Sequence, residues 1–534
     1  MGFYVNPPAD GFQAILRDEI YIDKSELLLF TNRTLNSGRM LTCSSRPRRF
    51  GKSYAAKMLT AYYSRGADSR NLFCSLKIAG SPEYETFLNT QDLIYLDITS
   101  FISRSENIRD TVKNLRREVI AELDTEYPGC IRPQHELLAD ALMQIHACTG
   151  RKFYIVIDEW DALFREAKND SELQKEYLLF LRSLFKSGQT PHTLTGAYMT
   201  GILPIKKYGT QSALTDFREY TMLRPGPLAE FIGFTEEEVR ALCQAENLDF
   251  EEACRWYDGY RLEPAGHIYN PNSIVEAAIN QSFGNYWTQT ETYESLRIYI
   301  EMNFDGLKDA VLNMLGGQNC RIDTGTFQND MTSIHCRDDV LTLLVHLGYL
   351  GYDAERREVF IPNEEIREEF LRALRTGKRR ELVKAALLSE KLLDATIRMD
   401  EETVAELIQE AHLANTSPKY YNNEQALRSV VIMAYLSCID DYIRFEEIAG
   451  GRGYIDILFL PVPSSTKPAL LIELKWDRSS DAAISQIHEL NYAQIRKQFR
   501  YEGEMLLVGI SYDAKTAKHT CTIERIDSPV EILP

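Results

Sequence analysis

The chain has 534 residues, 44% of them hydrophobic and 26% charged, and 60 Lys and Arg stand against 78 Asp and Glu for a net charge of −18. This composition excludes disordered, collagenous and coiled-coil chains and leaves room for about three domains of roughly 100–200 residues. An acidic chain is not a bulk nucleic-acid coat, because nonspecific phosphate binding needs basic surface, although a local basic patch escapes that limit.

In chain order, residues 39–43 predict a short strand, followed by a Pro/Arg loop and a helix over 51–64. Strands are expected at 93–98, 153–157 and 194–200, with helices over 109–123 and 172–184. This alternation predicts a parallel sheet covered on both faces, an α/β domain assigned to residues 1–222. Residues 223–412 read as mostly helical. Thr235-Glu236-Glu237-Glu238 is a capping-box pattern at a helix start. A helix at 339–347, a hairpin at 349–362 and a helix at 364–374 give a winged-helix-like order, with a plain packing module as the other reading. Residues 413–534 form a third, smaller α/β domain. It has a helix at 424–438, strands at 453–460 and 469–476, a helix at 482–500 and a strand at 505–511.

The ten cysteines are scattered without a CxxC pair, which argues against a zinc ribbon or a disulfide framework. The N-terminus lacks a basic segment followed by an apolar one, and no apolar run approaches the roughly 20 residues that span a bilayer. The expectation is a reduced cytoplasmic protein with no membrane partner.

Arg46-Pro47-Arg48-Arg49-Phe50-Gly51-Lys52-Ser53 lies between a predicted strand and a predicted helix. In a phosphate loop Gly51 lets the backbone approach the anion, Lys52 reaches the β- and γ-phosphates, and the Ser53 hydroxyl ligates Mg²⁺. The helix N-terminus that follows adds to anion binding. Arg46 stands where the usual pattern has glycine, so a basic turn opening a helix is the bland alternative for this segment alone. Downstream, the apolar run 153–157 ends in Asp158 and Glu159, an acid to hold Mg²⁺ and an acid to polarise water. Thr200, at the end of the next strand, is a candidate γ-phosphate sensor or a simple strand cap. Arg46, Arg48, Arg49 and nearby Arg39 either hold phosphate or supply an arginine finger across a homo-oligomer interface.

A second constellation lies near the C-terminus. Glu473 and Lys475 are two apart on a strand and share a face, and a hairpin brings Asp456 beside them. Two carboxylates suit Mg²⁺ or Mn²⁺, and an adjacent lysine positions or deprotonates water, parts that suit phosphodiester hydrolysis. Charges on a strand as apolar as Ile472-Glu473-Leu474-Lys475 are costly to bury unless they face a common site. Glu424 is a candidate third ligand, Gln486 orients the lysine or a phosphate, and Tyr492 falls near the face of Gln486. A structural salt-bridge network is the bland alternative.

Taken together these segments resemble AAA-ATPase-like proteins fused to a PD-(D/E)xK nuclease-superfamily domain, a bacterial family. The resemblance rests on Tyr21-Ile22-Asp23-Lys24-Ser25, on the 46–53 loop, and on Ile157-Asp158-Glu159-Trp160-Asp161. It continues through Thr200-Gly201-Ile202, Trp256-Tyr257-Asp258-Gly259-Tyr260 and Tyr269-Asn270-Pro271-Asn272-Ser273. At the C-terminus it rests on Gly451-Arg452, Asp456, Glu473-Leu474-Lys475, Gln486-Ile487 and Tyr492. Trp160 and Ala162 depart from the family's usual residues. The resemblance implies an N-terminal P-loop AAA-like parallel sheet, a helical middle region and a C-terminal restriction-endonuclease-like α/β domain. It implies ATP and Mg²⁺ (or Mn²⁺) as cofactors. Arg46, Arg48, Arg49, Phe50, Gly51, Lys52, Ser53, Asp158 and Thr200 would then bind the nucleotide and its metal, with Glu159 activating water. Asp456, Glu473 and Glu424 would hold the second metal, with Lys475 and Gln486 assisting cleavage of DNA. An NTP-dependent switch that binds nucleic acid or a partner without cutting it is the alternative.

Overall fold

The computed structural model describes residues 2–132, 137–205, 207–208, 211–212, 214–287, 296, 298–300, 304, 306–328, 334–376, 380–415, 423–435, 438, 441–449, 454–462, 465–489, 496–499 and 501–526. The chain folds into two compact units, Met1–Thr292 with Arg321–Glu368, and Tyr293–Cys320 with Glu369–Pro534. Gly451, Arg452 and Tyr492 lie outside the described residues.

In the first unit, five strands form a parallel sheet. They are β1 (Leu41–Ser45), β2 (Asp92–Asp97), β3 (Phe153–Asp158), β4 (Leu194–Gly201) and β5 (Arg218–Tyr220), in the order β2-β3-β4-β1-β5. Strands β1, β3 and β4 are buried along their whole length. A parallel sheet covered on both faces needs such continuous apolar runs. Helices Thr111–Glu126, Leu138–Thr149 and Ser171–Phe185 cover it through Val119, Leu142 and Leu181 in one core. Strand β5 was not foreseen, because its three residues are partly exposed and carry no apolar pattern.

The expected capping box at Thr235 is formed: Thr235 caps Glu238 N, and Glu238 returns to the Thr235 N–H, opening helix Glu236–Ala245. Helix Arg337–Leu347 is followed by an antiparallel hairpin of Gly351–Asp353 and Glu358–Phe360. Gly259 takes φ +106°, and a side chain there would meet the Pro362 carbonyl at 2.1 Å, which accounts for the glycine in Trp256-Tyr257-Asp258-Gly259-Tyr260.

The second unit holds a five-stranded mixed sheet in chain order: β6 (Tyr442–Ala449), β7 (Tyr454–Pro461), β8 (Ala469–Trp476), β9 (Met505–Asp513) and β10 (Lys518–Ile526). Only β8 and β9 run parallel, joined by a crossover through helix Ser480–Glu489. Leu470, Ile472 and Leu474 pack toward helices Arg380–Ile397, Glu401–Asn415 and Glu424–Ala434, while Ala469 and Leu471 pack with Ile484 and Ile487 of the crossover helix. Leu388, Leu392, Val404, Ile408 and Ala411, which the sequence groups with the helical middle region, thus share a core with this sheet. Strands β6 and β10 are additions to the expected order. Among the described residues, no helix is long and apolar enough to cross a membrane.

Candidate nucleotide site and C-terminal carboxylate site

Functional residues of a parallel sheet gather beyond the carboxyl ends of its strands, where loops and helix N-termini open toward a ligand. The 46–51 loop follows β1 there and feeds helix Lys52–Tyr63, whose N-cap Gly51 has φ +86°. This left-handed conformation is readily available only to glycine and turns the backbone into the helix. The cavity beside it measures about 900 Å³, near the upper end of ordinary small-molecule sites at roughly 300–1,000 Å³. Arg48, Arg49, Phe50, Gly51, Lys52, Ser53, Asp158 and Glu159 all line it.

Lys52 is 4% exposed; its Nζ donates to the Pro47 carbonyl at 2.8 Å and lies 3.8 Å from Glu159 Oε1. Burial lowers its pKa, against the opposing pull of Glu159. Asp158 ends β3 and is 3% exposed. Thr200 Oγ1 donates to its Oδ1 at 2.9 Å, and the Ser53 hydroxyl stands near it at the cavity. Burial raises the Asp158 pKa, and these two hydroxyls favour its charged form. Asp158 and Ser53 are hard oxygen donors beside one another at a cavity, a donor set that suits Mg²⁺. Glu159, at φ +52°, is held between Lys52 and Arg165, which also pairs with Asp161 at 3.2 Å.

Two of the expected residues stand behind the cavity. Thr200 is fully buried and acts through Asp158. Arg46 is also fully buried, and its Nη1 donates to the carbonyls of Ser45 at 3.0 Å and Tyr220 at 3.3 Å, tying β1 to β5. Burial lowers its pKa to about 10. Asp161 accepts from the backbone N–H groups of Ile202 and Leu203 at 2.9–3.2 Å, which joins the β3 loop to the β4 loop. Gly201 completes that junction, since a side chain there would meet Trp160 and Asp161 at 2.6 Å.

Residues the sequence reading gave no role also line the cavity. Asp97 ends β2 opposite Asp158. Ile20, Tyr21 and Ile22 supply an apolar wall, and helix Pro271–Asn280 supplies Asn272, Val275 and Ile279. Arg49 reaches Asn272 Oδ1 at 3.4 Å. Two of the family-like segments, Tyr21-Ile22 and Pro271-Asn272, are therefore parts of one wall.

In the second unit, the β7–β8 ladder pairs Ile457 with Ile472, which brings Asp456 and Glu473 together one residue beyond it. Asp456 Oδ2 accepts from the Leu474 N–H at 2.8 Å, and its Oδ1 accepts from Arg428 Nη2 at 2.6 Å. Glu473 is 2% exposed; its Oε1 accepts from Lys475 Nζ at 2.9 Å and from Gln486 Nε2. Burial, and then Asp456, push its pKa up to about 7. Glu473 Oε2 is buried without a hydrogen-bond partner. An orphaned buried carboxylate oxygen beside a second carboxylate suits a divalent cation, and Mg²⁺ commonly takes only one or two protein carboxylates. Glu424 is half exposed and pairs with Lys475 at 3.6 Å. Among the described residues, no three His, Cys, Asp or Glu side chains converge to hold a metal ion. Arg428, missed in the sequence, lies four residues after Glu424 on the same helix, a spacing that puts both on one face.

Residues 9–210 match the family described as AAA-ATPase-like, "Predicted AAA-ATPase". An uncharacterized protein in the vnfD 5′ region of Azotobacter chroococcum is 23% identical over 280 residues, 52% of this chain and 51% of that one. The chain thus spans about half the length of that relative. Among solved structures, the Aeropyrum pernix ORC2 protein, in ADPNP–ADP complexes, aligns at 14% identity with a TM-score of 0.24, over 67% of this chain and 97% of that one. Residues 9–210 of this chain thus carry an AAA-ATPase-like domain.

Proposed function

We propose that the chain binds and hydrolyses ATP in its N-terminal domain and uses that cycle to control a Mg²⁺-dependent nuclease-type site in its second unit, acting on DNA. The observation that carries the ATP half is buried Asp158, which is hydrogen-bonded by Thr200 and shares the large cavity with Lys52 and Ser53. Lys52 would leave the Pro47 carbonyl for the nucleotide's phosphates, and Ser53 and Asp158 would hold the Mg²⁺ that accompanies them. Glu159, released from Lys52, would polarise the attacking water. Arg46 holds the loop's base in place from inside the sheet.

In the second unit Asp456 and Glu473 would hold a divalent ion, which supplies a Lewis acid and a water of lowered pKa. Lys475, anchored by Glu473 and Glu424, would position that water, and Gln486 fixes the Glu473 rotamer. The Arg428–Asp456 ion pair favours a second reading, an NTP-dependent switch whose C-terminal unit binds nucleic acid or a partner uncut. Divalent-metal binding that disappears in Asp456→Asn separates the two.

ATP binding and turnover by the full chain test the first half. Lys52→Ala is expected to abolish nucleotide binding, and Glu159→Gln to bind ATP while hydrolysing it roughly 100-fold more slowly or worse. Wild-type ATP affinity in Lys52→Ala would sink the assignment.

A further inference from the structure

Two carboxylates, Asp456 and Glu473, meet two cations in the C-terminal site, and Glu424 reaches it through Lys475. Lys475 serves Glu473 and Glu424, while Asp456 is served by Arg428, whose Nη2 stands 2.6 Å from Oδ1. Both partners of that pair are largely buried, at 21% and 13% side-chain exposure. The other Asp456 oxygen is taken by the Leu474 N–H, so the guanidinium occupies the oxygen nearest to being available for a metal ion. Beside it, Glu473 Oε2 has no hydrogen-bond partner. The site is therefore half committed: one carboxylate oxygen awaits a ligand, and the adjacent carboxylate is already neutralised from within the chain.

We propose that Arg428 is a resident counter-cation that competes with the divalent metal ion for Asp456. This rests on the reading of Asp456 and Glu473 as metal ligands. An arginine cannot shed its proton to make way, so metal entry requires the guanidinium to swing off Asp456. Its helix, Glu424–Ala434, is anchored in the core by Leu427, Val430 and Val431, so the side chain moves while the helix stays. A displaced guanidinium beside a bound metal is placed to donate to the two non-bridging oxygens of a phosphodiester. Arg428 is thus a positioning residue whose partner changes from carboxylate to substrate phosphate when metal binds.

The test is Mn²⁺ binding to the full chain, read by electron paramagnetic resonance of free Mn²⁺, for the wild type and for Arg428→Gln, Arg428→Lys and Asp456→Asn, with thermal melts to establish folding. Arg428→Gln is expected to bind Mn²⁺ about tenfold more tightly, the effect of removing one competing charge-assisted hydrogen bond. Arg428→Lys keeps the charge and is expected to stay near wild type. In cleavage assays Arg428→Gln is expected to raise KM for DNA more than it lowers kcat. Asp456-dependent Mn²⁺ binding that Arg428→Gln leaves unchanged or weakens would overturn the competition and leave the metal site standing. Mn²⁺ binding that Asp456→Asn does not affect would overturn the metal site and the competition with it.

Discussion

Thr200, next to last in β4, donates its hydroxyl to Asp158, the last residue of β3, across 2.9 Å inside the sheet. The bond ties the strand ends beside the 46–51 loop and favours the charged form of a carboxylate whose pKa burial raises. Thr200→Val keeps the volume and removes the donor. It is expected to lower stability by about 1.5–3 kcal/mol, the range for hydrogen bonds to charged groups. It should also weaken Mg²⁺-dependent ATP binding while Thr200→Ser restores it. Calorimetric titration with and without Mg²⁺ checks this. Equal Mg²⁺ dependence in Thr200→Val and the wild type would leave Thr200 a strand cap.

Arg46 stands apart from the arginines that line the cavity. Its guanidinium serves the Ser45 and Tyr220 carbonyls inside the sheet, whereas Arg48 and Arg49 line the cavity. Arg46→Ala is expected to cost several kcal/mol, about 2–5 by analogy with large-to-small core changes, through a cavity and orphaned carbonyls. Arg49→Ala, at an exposed position, should weaken ATP binding with a change in stability within about 0.5 kcal/mol. Thermal melts and ATP titrations on both variants check the split. The reverse pattern would return Arg46 to the phosphate.

The second unit carries its own pH dependence. His519 packs against Tyr512 with ring centroids 4.8 Å apart and planes tilted by 50°, meets His412 edge-on, and its Nδ1 contacts Gln409 Oε1 at 2.6 Å. Burial, and then His412, lower its pKa to about 3, and burial lowers that of His412. Protonation therefore favours the unfolded chain, whose histidines titrate near pH ~6.5. Stability is intact above that pH and falls as pH drops from about 6.5 toward 3, by about 1.4 kcal/mol per pH unit for His519, with His412 adding in the same direction. His519→Gln is expected to flatten the loss of melting temperature between pH 7 and pH 5. An unchanged slope would show that carboxylates dominate the acid transition.

The gathering of Gly51, Lys52, Ser53, Asp158 and Glu159 at one cavity was legible because these residues sit at strand ends. The apolar run into Asp158-Glu159 and the Gly51-Lys52-Ser53 turn announce where those ends fall. The burial of Arg46 was not legible, since a guanidinium in Arg46-Pro47-Arg48-Arg49 reads as surface until β5 supplies the Tyr220 carbonyl. Strand β10 was missed although Lys518–Ile526 alternates exposed and buried residues, as a sheet edge with one face covered does. Polar residues at alternate positions weaken an apolar-run reading. Arg428 was overlooked because a basic residue on an amphipathic helix reads as solvated surface until its pairing with Asp456 is seen.

Cutting of plasmid and single-stranded DNA by the full chain, with Mg²⁺ or Mn²⁺ and with or without ATP, is the most direct measurement. The wild type, Lys52→Ala and Glu473→Ala would be compared side by side. An ATP-controlled nuclease predicts metal-dependent cutting that is absent in Glu473→Ala and that responds to ATP in the wild type but not in Lys52→Ala. Cutting that survives in Glu473→Ala, or no cutting by a wild-type protein that binds both ATP and Mn²⁺, would contradict it.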